Sequence, residues 1–234
     1  MSKAILRIKK LKTHGNIGSM SSHVARTRPT PNADPDKKNQ NFILAGTGDQ
    51  LVDYKNRIAE LKIENIRKNA VLAVDHMLTA SPEFFRNYDS ENQEWDREKL
   101  KRWASENVRW LNEKYGKNCI SATLHLDERT PHIHALILPV HEGKLNARHF
   151  YGGREKLSEL QSDYARAMEP LGLERGQKGS KAKHQTIKKH YEEVNKNAFK
   201  QGQKAHEKEA DINDRMGQIK KLREEISPTQ RPKK

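Results

Sequence analysis

A chain of 234 residues has room for one good-sized domain, alone or with an appendage, which excludes a large multidomain assembly. Hydrophobic residues make up 33% and charged residues 32%, short of the roughly 45–50% apolar content of packed soluble domains, so part of the chain lies outside any core. Lys and Arg total 45 against 31 Asp and Glu, a formal charge of +14, and this excess favours a polyanionic partner whose counterions are released on binding.

The charge sits on the flanks. Residues 1–40 hold nine Lys/Arg against two Asp/Glu, and residues 176–234 hold sixteen against eight. No stretch approaches the roughly 18 consecutive apolar residues of a membrane span. The start, MSKAILRIKKLKTHG, lacks the apolar run of about 7–15 residues of a secretory signal. A single cysteine, Cys119, allows no internal disulfide, and a cytoplasmic, reducing setting is expected.

In chain order, AILRIKKL alternates apolar and basic residues and predicts a strand with one solvated or DNA-facing side. From His14 to Gly48 the Gly, Ser, Pro, Asn and Asp content predicts turns and loops, with at most a short helix around Met20 to Arg26. Residues 49–69 open with an acidic turn and carry Leu51, Tyr54, Ile58, Leu61 and Ile66 at near-helical spacing. Ala70 to Thr79 suits a mostly buried strand, interrupted by Asp75. Ser81-Pro82-Glu83 starts a helical stretch to Tyr115, with Trp103 and Trp110 as packing residues and Gly116 as the stop. Cys119–Leu126 and His132–Val140 read as two strands of a hairpin joined by DERTP, and Gly153–Leu171 as a further helix. Beyond residue 176 the chain turns polar and basic, helical only where it docks on something. The pattern predicts an α+β fold on an antiparallel sheet, with a domain over 1–175 and a basic extension over 176–234.

The segment that carries chemistry is His125-Leu126-Asp127-Glu128-Arg129-Thr130-Pro131-His132-Ile133-His134. Side chains two apart on a strand share a face, so His132 and His134 project together and the hairpin returns His125 to them. Three imidazoles offer neutral nitrogen ligands to a divalent metal and leave positions open for water or substrate. Ligand preference alone favours zinc. Asp127 and Glu128 are candidates to orient a ligand or handle a proton, or else turn residues paired with Arg129. Asp75, an acid in an apolar strand, needs a partner.

HLDERTPHIH resembles the histidine–apolar–histidine motif of the HUH nucleases in the form carried by the MobV, or Mob/Pre, plasmid relaxases. The resemblance extends through KKLKTHGNIG, Ser22-His23-Val24-Ala25-Arg26, AVLAVDHMLTASPEFF, WLNEKYG, GKLNARHF and SKAKH at 180–184. It implies an HUH-type antiparallel sheet flanked by helices. It also implies a relaxase that nicks plasmid origin-of-transfer DNA, single-stranded or as a hairpin, by transesterification and retains the 5′ phosphate. The metal would be Mn2+ or Mg2+, and a conjugative coupling protein would be the partner.

The same resemblance places the nucleophile on His23, forming a phosphoramidate. Some relatives offer a tyrosine in an LNY-like stretch that reads Gln40-Asn41-Phe42 here. Asp75 falls where relatives carry a glutamate, and the expectation is that its carboxylate orients His23. Arg26 and Arg28 would grip phosphates, and Lys181, Lys183 and His184 would contact the DNA backbone. His14, His76 and Tyr54 stand near these motifs without occupying them. The alternatives are a rolling-circle initiator using Tyr151 or Tyr164 and a non-catalytic origin-binding repressor with structural zinc. A small-molecule metallohydrolase has little support from the charge.

Overall fold

Alternating and helical spacings become strands and helices in the computed structural model, which describes residues 2–86 and 95–179. In chain order the strands are β1 (Lys3–Leu11), β2 (Phe42–Ala45), β3 (Ala73–Ala80), β4 (Cys119–His125), β5 (His132–Ile137), β6 (Val140–His141), β7 (Lys144–Leu145) and β8 (Glu174–Arg175). The helices are α1 (His14–Val24), α2 (Gln50–Glu60), α3 (Pro82–Phe85), α4 (Arg97–Tyr115), α5 (Ala147–Tyr151) and α6 (Gly153–Met168). One sheet runs β2-β4-β5-β3-β1-β8, antiparallel except where β8 joins β1 in parallel. Residues up to Lys178 form one compact unit, and nearly all of the expected extension lies outside the described residues.

The register decides which side chains meet. His125 lies opposite His132, and His134 lies between Thr123 of β4 and Met77 of β3. Side chains alternate across the sheet, so these residues and Asp75 share one face. On the other face Leu78, Leu124, Ile133 and Ala135 pack with Trp103, Trp110, Tyr164 and Met168 of α4 and α6. The histidine face is covered at one end, where Ile17, Met20 and Val24 of α1 and Tyr54 of α2 pack with Leu11, Ala73 and Leu136. Helix α1 therefore delivers its C-terminus to the histidine row.

Three expectations are corrected. The loop-like composition after His14 hides the eleven-residue α1, because Thr13 caps it by accepting from the Asn16 N–H at 3.0 Å and Ile17, Met20 and Val24 form a buried stripe. Tertiary burial of that stripe outweighs the weak helix propensity of Gly and Ser. The same stretch ends in β2, an edge strand that was not expected. The helical run to Tyr115 is two helices, and α4 restarts at an Asp96 cap whose carboxylate accepts from the Lys99 N–H.

Candidate active site

Three imidazoles on β4 and β5 have their outer nitrogens committed to acceptors. His125 Nε2 donates to Val24 O at 3.0 Å, His132 Nδ1 to Thr130 O at 3.0 Å, and His134 Nδ1 to the Asp75 carboxylate at 3.0 and 3.2 Å. A carbonyl can only accept, so His125 and His132 carry their protons on those nitrogens. Their remaining nitrogens, His125 Nδ1 and His132 Nε2, then face each other as lone pairs 3.2 Å apart. Two lone pairs at that separation repel unless a proton or cation lies between them. Each ring thus offers one unprotonated nitrogen with its tautomer set by a partner behind it, the arrangement metal-binding histidines show. The donor set fits a divalent cation.

The end of α1 brings a fourth ring. His23 sits with its ring centroid 5.4 Å from that of His134 and 6.0 Å from that of His125. Donor atoms that close to within 4.8 Å of one another form two overlapping groups, His23–His125–His134 and His125–Glu128–His132. Glu128 Oε1 lies 3.9 Å from His23 Nε2 and 3.8 Å from His132 Nε2, between these two rings. Burial, and then the charges of His134, Arg26 and Arg28, hold the His23 ring down at about 4. Burial and the neighbouring rings also lower His132, to about 3, and His125. His134 moves the other way: burial opposes its charge, but the Asp75 charge and hydrogen bond outweigh it. Glu128 is raised by desolvation, against the pull of Arg26.

The family model for plasmid recombination enzymes, Mob_Pre, matches residues 1–192. The chain belongs to the Mob/Pre family. A 65 kDa protein of Zymomonas mobilis is 41% identical over 199 residues, covering 82% of this chain and 33% of its own length. The plasmid recombination enzyme of Streptococcus agalactiae is 34% identical over 199 residues, 80% of this chain and 38% of its own. The chain therefore spans a third to a half of the curated relatives it matches. Among solved structures, the MobM relaxase domain, Mn-bound and in complex with plasmid pMV158 oriT DNA, matches with a TM-score of 0.69 at 31% identity over 81% of this chain and 98% of that one. The α+β sheet flanked by helices is thus the fold of that relaxase domain.

In this Mob/Pre chain two expected roles meet different geometry. The Asp75 carboxylate hydrogen-bonds His134 rather than His23, because residue 75 of β3 stands beside the β5 histidine row, while its charge still acts on the His23 ring. Arg26 presents no fork to a phosphate. Its side chain is 5% exposed, with Nε and Nη2 paired to Asp127 at 2.7 and 2.8 Å, Nη2 also to Glu128 at 2.7 Å and Nη1 to His23 O at 2.7 Å. It clamps the histidine hairpin to the end of α1. Arg28 is exposed and donates to Ser19 Oγ at 3.0 Å. Lys181, Lys183 and His184 lie outside the described residues.

Tyr151 and Tyr164, the alternative nucleophiles, are 1% and 0% exposed, packed in the core under the opposite sheet face. Tyr164 donates to Asn107 Oδ1, and Tyr151 lies against His76. His14 packs edge-on against Tyr54. The residues that sequence reasoning missed are the amides. Asn32 donates to Glu128 Oε2, and Asn41 donates to Asp127 Oδ2 at 2.8 Å while accepting from the Leu126 N–H. The one available signal was Asn41 itself, beside the position where a tyrosine was sought.

Proposed function

We propose that this chain is a relaxase domain that nicks one strand of plasmid origin-of-transfer DNA by transesterification, with His23 as nucleophile and manganese as the working ion. The carrying observation is the His23 imidazole at the end of α1, its ring 5.4 Å from that of His134 in a setting whose burial disfavours the protonated form. The Mn- and oriT-bound MobM relaxase domain supports the substrate and the ion. His125, His132 and His134 would hold the ion. When bound it supplies Lewis-acid stabilisation of the charge that develops on the scissile phosphate.

The chain's own residues perform the rest. A His23 ring nitrogen attacks phosphorus, a P–N bond forms, and the bond to the 3′ oxygen breaks. The 5′ phosphate stays on His23. The ring's other N–H proton is released, and the departing oxygen takes up a proton to become a 3′ hydroxyl. Glu128, whose carboxylate lies 3.9 Å from His23 Nε2, would take the ring proton or balance the transient imidazolium charge. A low His23 pKa keeps the nucleophile unprotonated at neutral pH without a dedicated base. Arg28, with Lys181, Lys183 and His184, would follow the phosphate backbone, and a conjugative coupling protein would receive the adduct.

The test is incubation with supercoiled plasmid carrying the cognate origin and Mn2+, followed by mass spectrometry of the protein–DNA adduct. A phosphorylated His23 peptide is expected, and His23→Ala should lower adduct yield at least about a hundredfold with origin binding within a few-fold. Adduct on another residue, or an unchanged yield from His23→Ala, refutes the assignment.

A further inference from the structure

We infer that the cavity behind the metal hairpin is a subsite for an unpaired nucleotide of the DNA strand. It rests on reading the chain as a DNA-strand nuclease and adds where a base is held. The cavity, about 750 Å³, is walled by Lys37, Gln40 and Phe42 on one side, Trp95 and Arg97 on another, and Arg129 of the hairpin turn. Four basic side chains line it, and no carboxylate is among the described lining residues. Arg97 and Arg129 are both exposed and have no carboxylate partner among the described residues. Exposed cations beside an aromatic surface and side-chain amides are what single-stranded nucleic acid requires: charge for the phosphate, a π-face for the base, amides for the base edge.

Phe42 supplies the platform. It is 55% exposed on the edge strand β2, which leaves its ring open to a stacking partner. A second cavity of about 650 Å³ shares Phe42 and Arg97, so the ring stands on the boundary between the two spaces. A planar, polyanion-linked occupant matches the walls better than an apolar one would.

The pocket is mechanically tied to the reacting centre. Arg129 follows Glu128 directly. Asn41, next to Phe42, donates to Asp127 Oδ2 at 2.8 Å and accepts from the Leu126 N–H at 2.8 Å. The Asp34 N–H donates to Asp127 O at 2.7 Å, and Ala33 bridges to Glu128. The wall that carries Phe42 and the turn that carries Glu128 are thus one rigid piece. A base seated against Phe42 would hold its phosphate at a fixed offset from the histidine row.

The experiment uses oligo(dT) of about twenty nucleotides, longer than the roughly 4–16 a single-strand site spans, in fluorescent and 5-iodouracil-substituted forms. Photocrosslinks should map to the Phe42 peptide. Phe42→Ala should weaken binding about tenfold, Phe42→Trp should stay near wild type, and Arg129→Gln should reduce the salt dependence by about one phosphate contact. Crosslinks confined to other peptides together with Phe42→Ala binding within about twofold, or no oligo(dT) binding by the wild type, overturn the subsite. If the wild type forms the Mn2+-dependent adduct while Phe42 shows neither effect, the subsite alone falls. A Phe42 crosslink without adduct from origin plasmid leaves the subsite standing and removes the nicking reaction.

Discussion

A carboxylate on Nδ1 of His134 makes the opposite ring nitrogen a better ligand, by fixing the tautomer and adding negative charge behind the ring. Asp75→Asn keeps the size and removes the charge. It should weaken Mn2+ binding about ten- to a hundredfold in a calorimetric titration, with the fold intact. Normal metal affinity combined with lost adduct formation would move Asp75's role to His23. Arg26 stands one residue past the end of α1's cap at φ 54, a left-handed conformation costly for any residue with a Cβ. Its four hydrogen bonds hold it there, and removing the guanidinium leaves the buried Asp127 and the half-buried Glu128 as adjacent unpaired acids. Arg26→Met should lower stability by about 3 kcal/mol in urea unfolding; a loss under about 1 kcal/mol would make the clamp a minor contact.

At the level of elements, the site exists because α1 is held at a defined place over the sheet. Asp49 caps α2, accepting from the Leu51 and Val52 N–H groups, and also accepts from Ser21 Oγ of α1 at 2.7 Å. Ser21 is two residues before His23. Asp49→Ala removes a cap and the link between helices together and should cost about 1–2 kcal/mol. It should also slow adduct formation more than it weakens DNA binding, read by comparing single-turnover rate with affinity. Equal losses in both would mean that the α1–α2 link does not position His23. The hairpin was legible at this scale because its histidines and turn lie within ten residues, and alternation alone sets their face. Helix α1 was not, because its stripe of Ile17, Met20 and Val24 becomes a helix signal only against Ala73 and Leu136, which are distant in sequence.

Across the whole molecule, buried imidazoles tie stability to pH. His76 is fully buried, accepts or donates at Tyr115 Oη at 3.0 Å, and burial holds it at about 4. An unfolded His protonates near 6.5, so between about 6.5 and 4 the unfolded state binds more protons than the folded one. Stability is therefore fully present above that window and falls as pH drops through it, by up to about 3 kcal/mol from His76 alone. His23, His125 and His132 act in the same direction without metal. Chelator-treated protein should unfold at lower urea at pH 4.5 than at pH 7, and His76→Gln should flatten that dependence. A pH-independent midpoint contradicts the buried-neutral assignment. The +14 charge acts at the same scale, and single-strand affinity should fall steeply with salt.

The sequence by itself determined the alternation that makes a hairpin, the facing of His132 and His134, the excess positive charge and, through ordered motifs, the family. Each of these is local or a sum over residues, so no contact across the chain is needed to read it. Only the tertiary structure decided which acid serves which base. Asp75 to His134, Glu128 to His23 and Arg26 onto Asp127 are pairings between residues 59 to 105 positions apart. Such pairings follow from strand register and from where α1 crosses the sheet, and a side chain's partner is set by that geometry rather than by its neighbours in the chain.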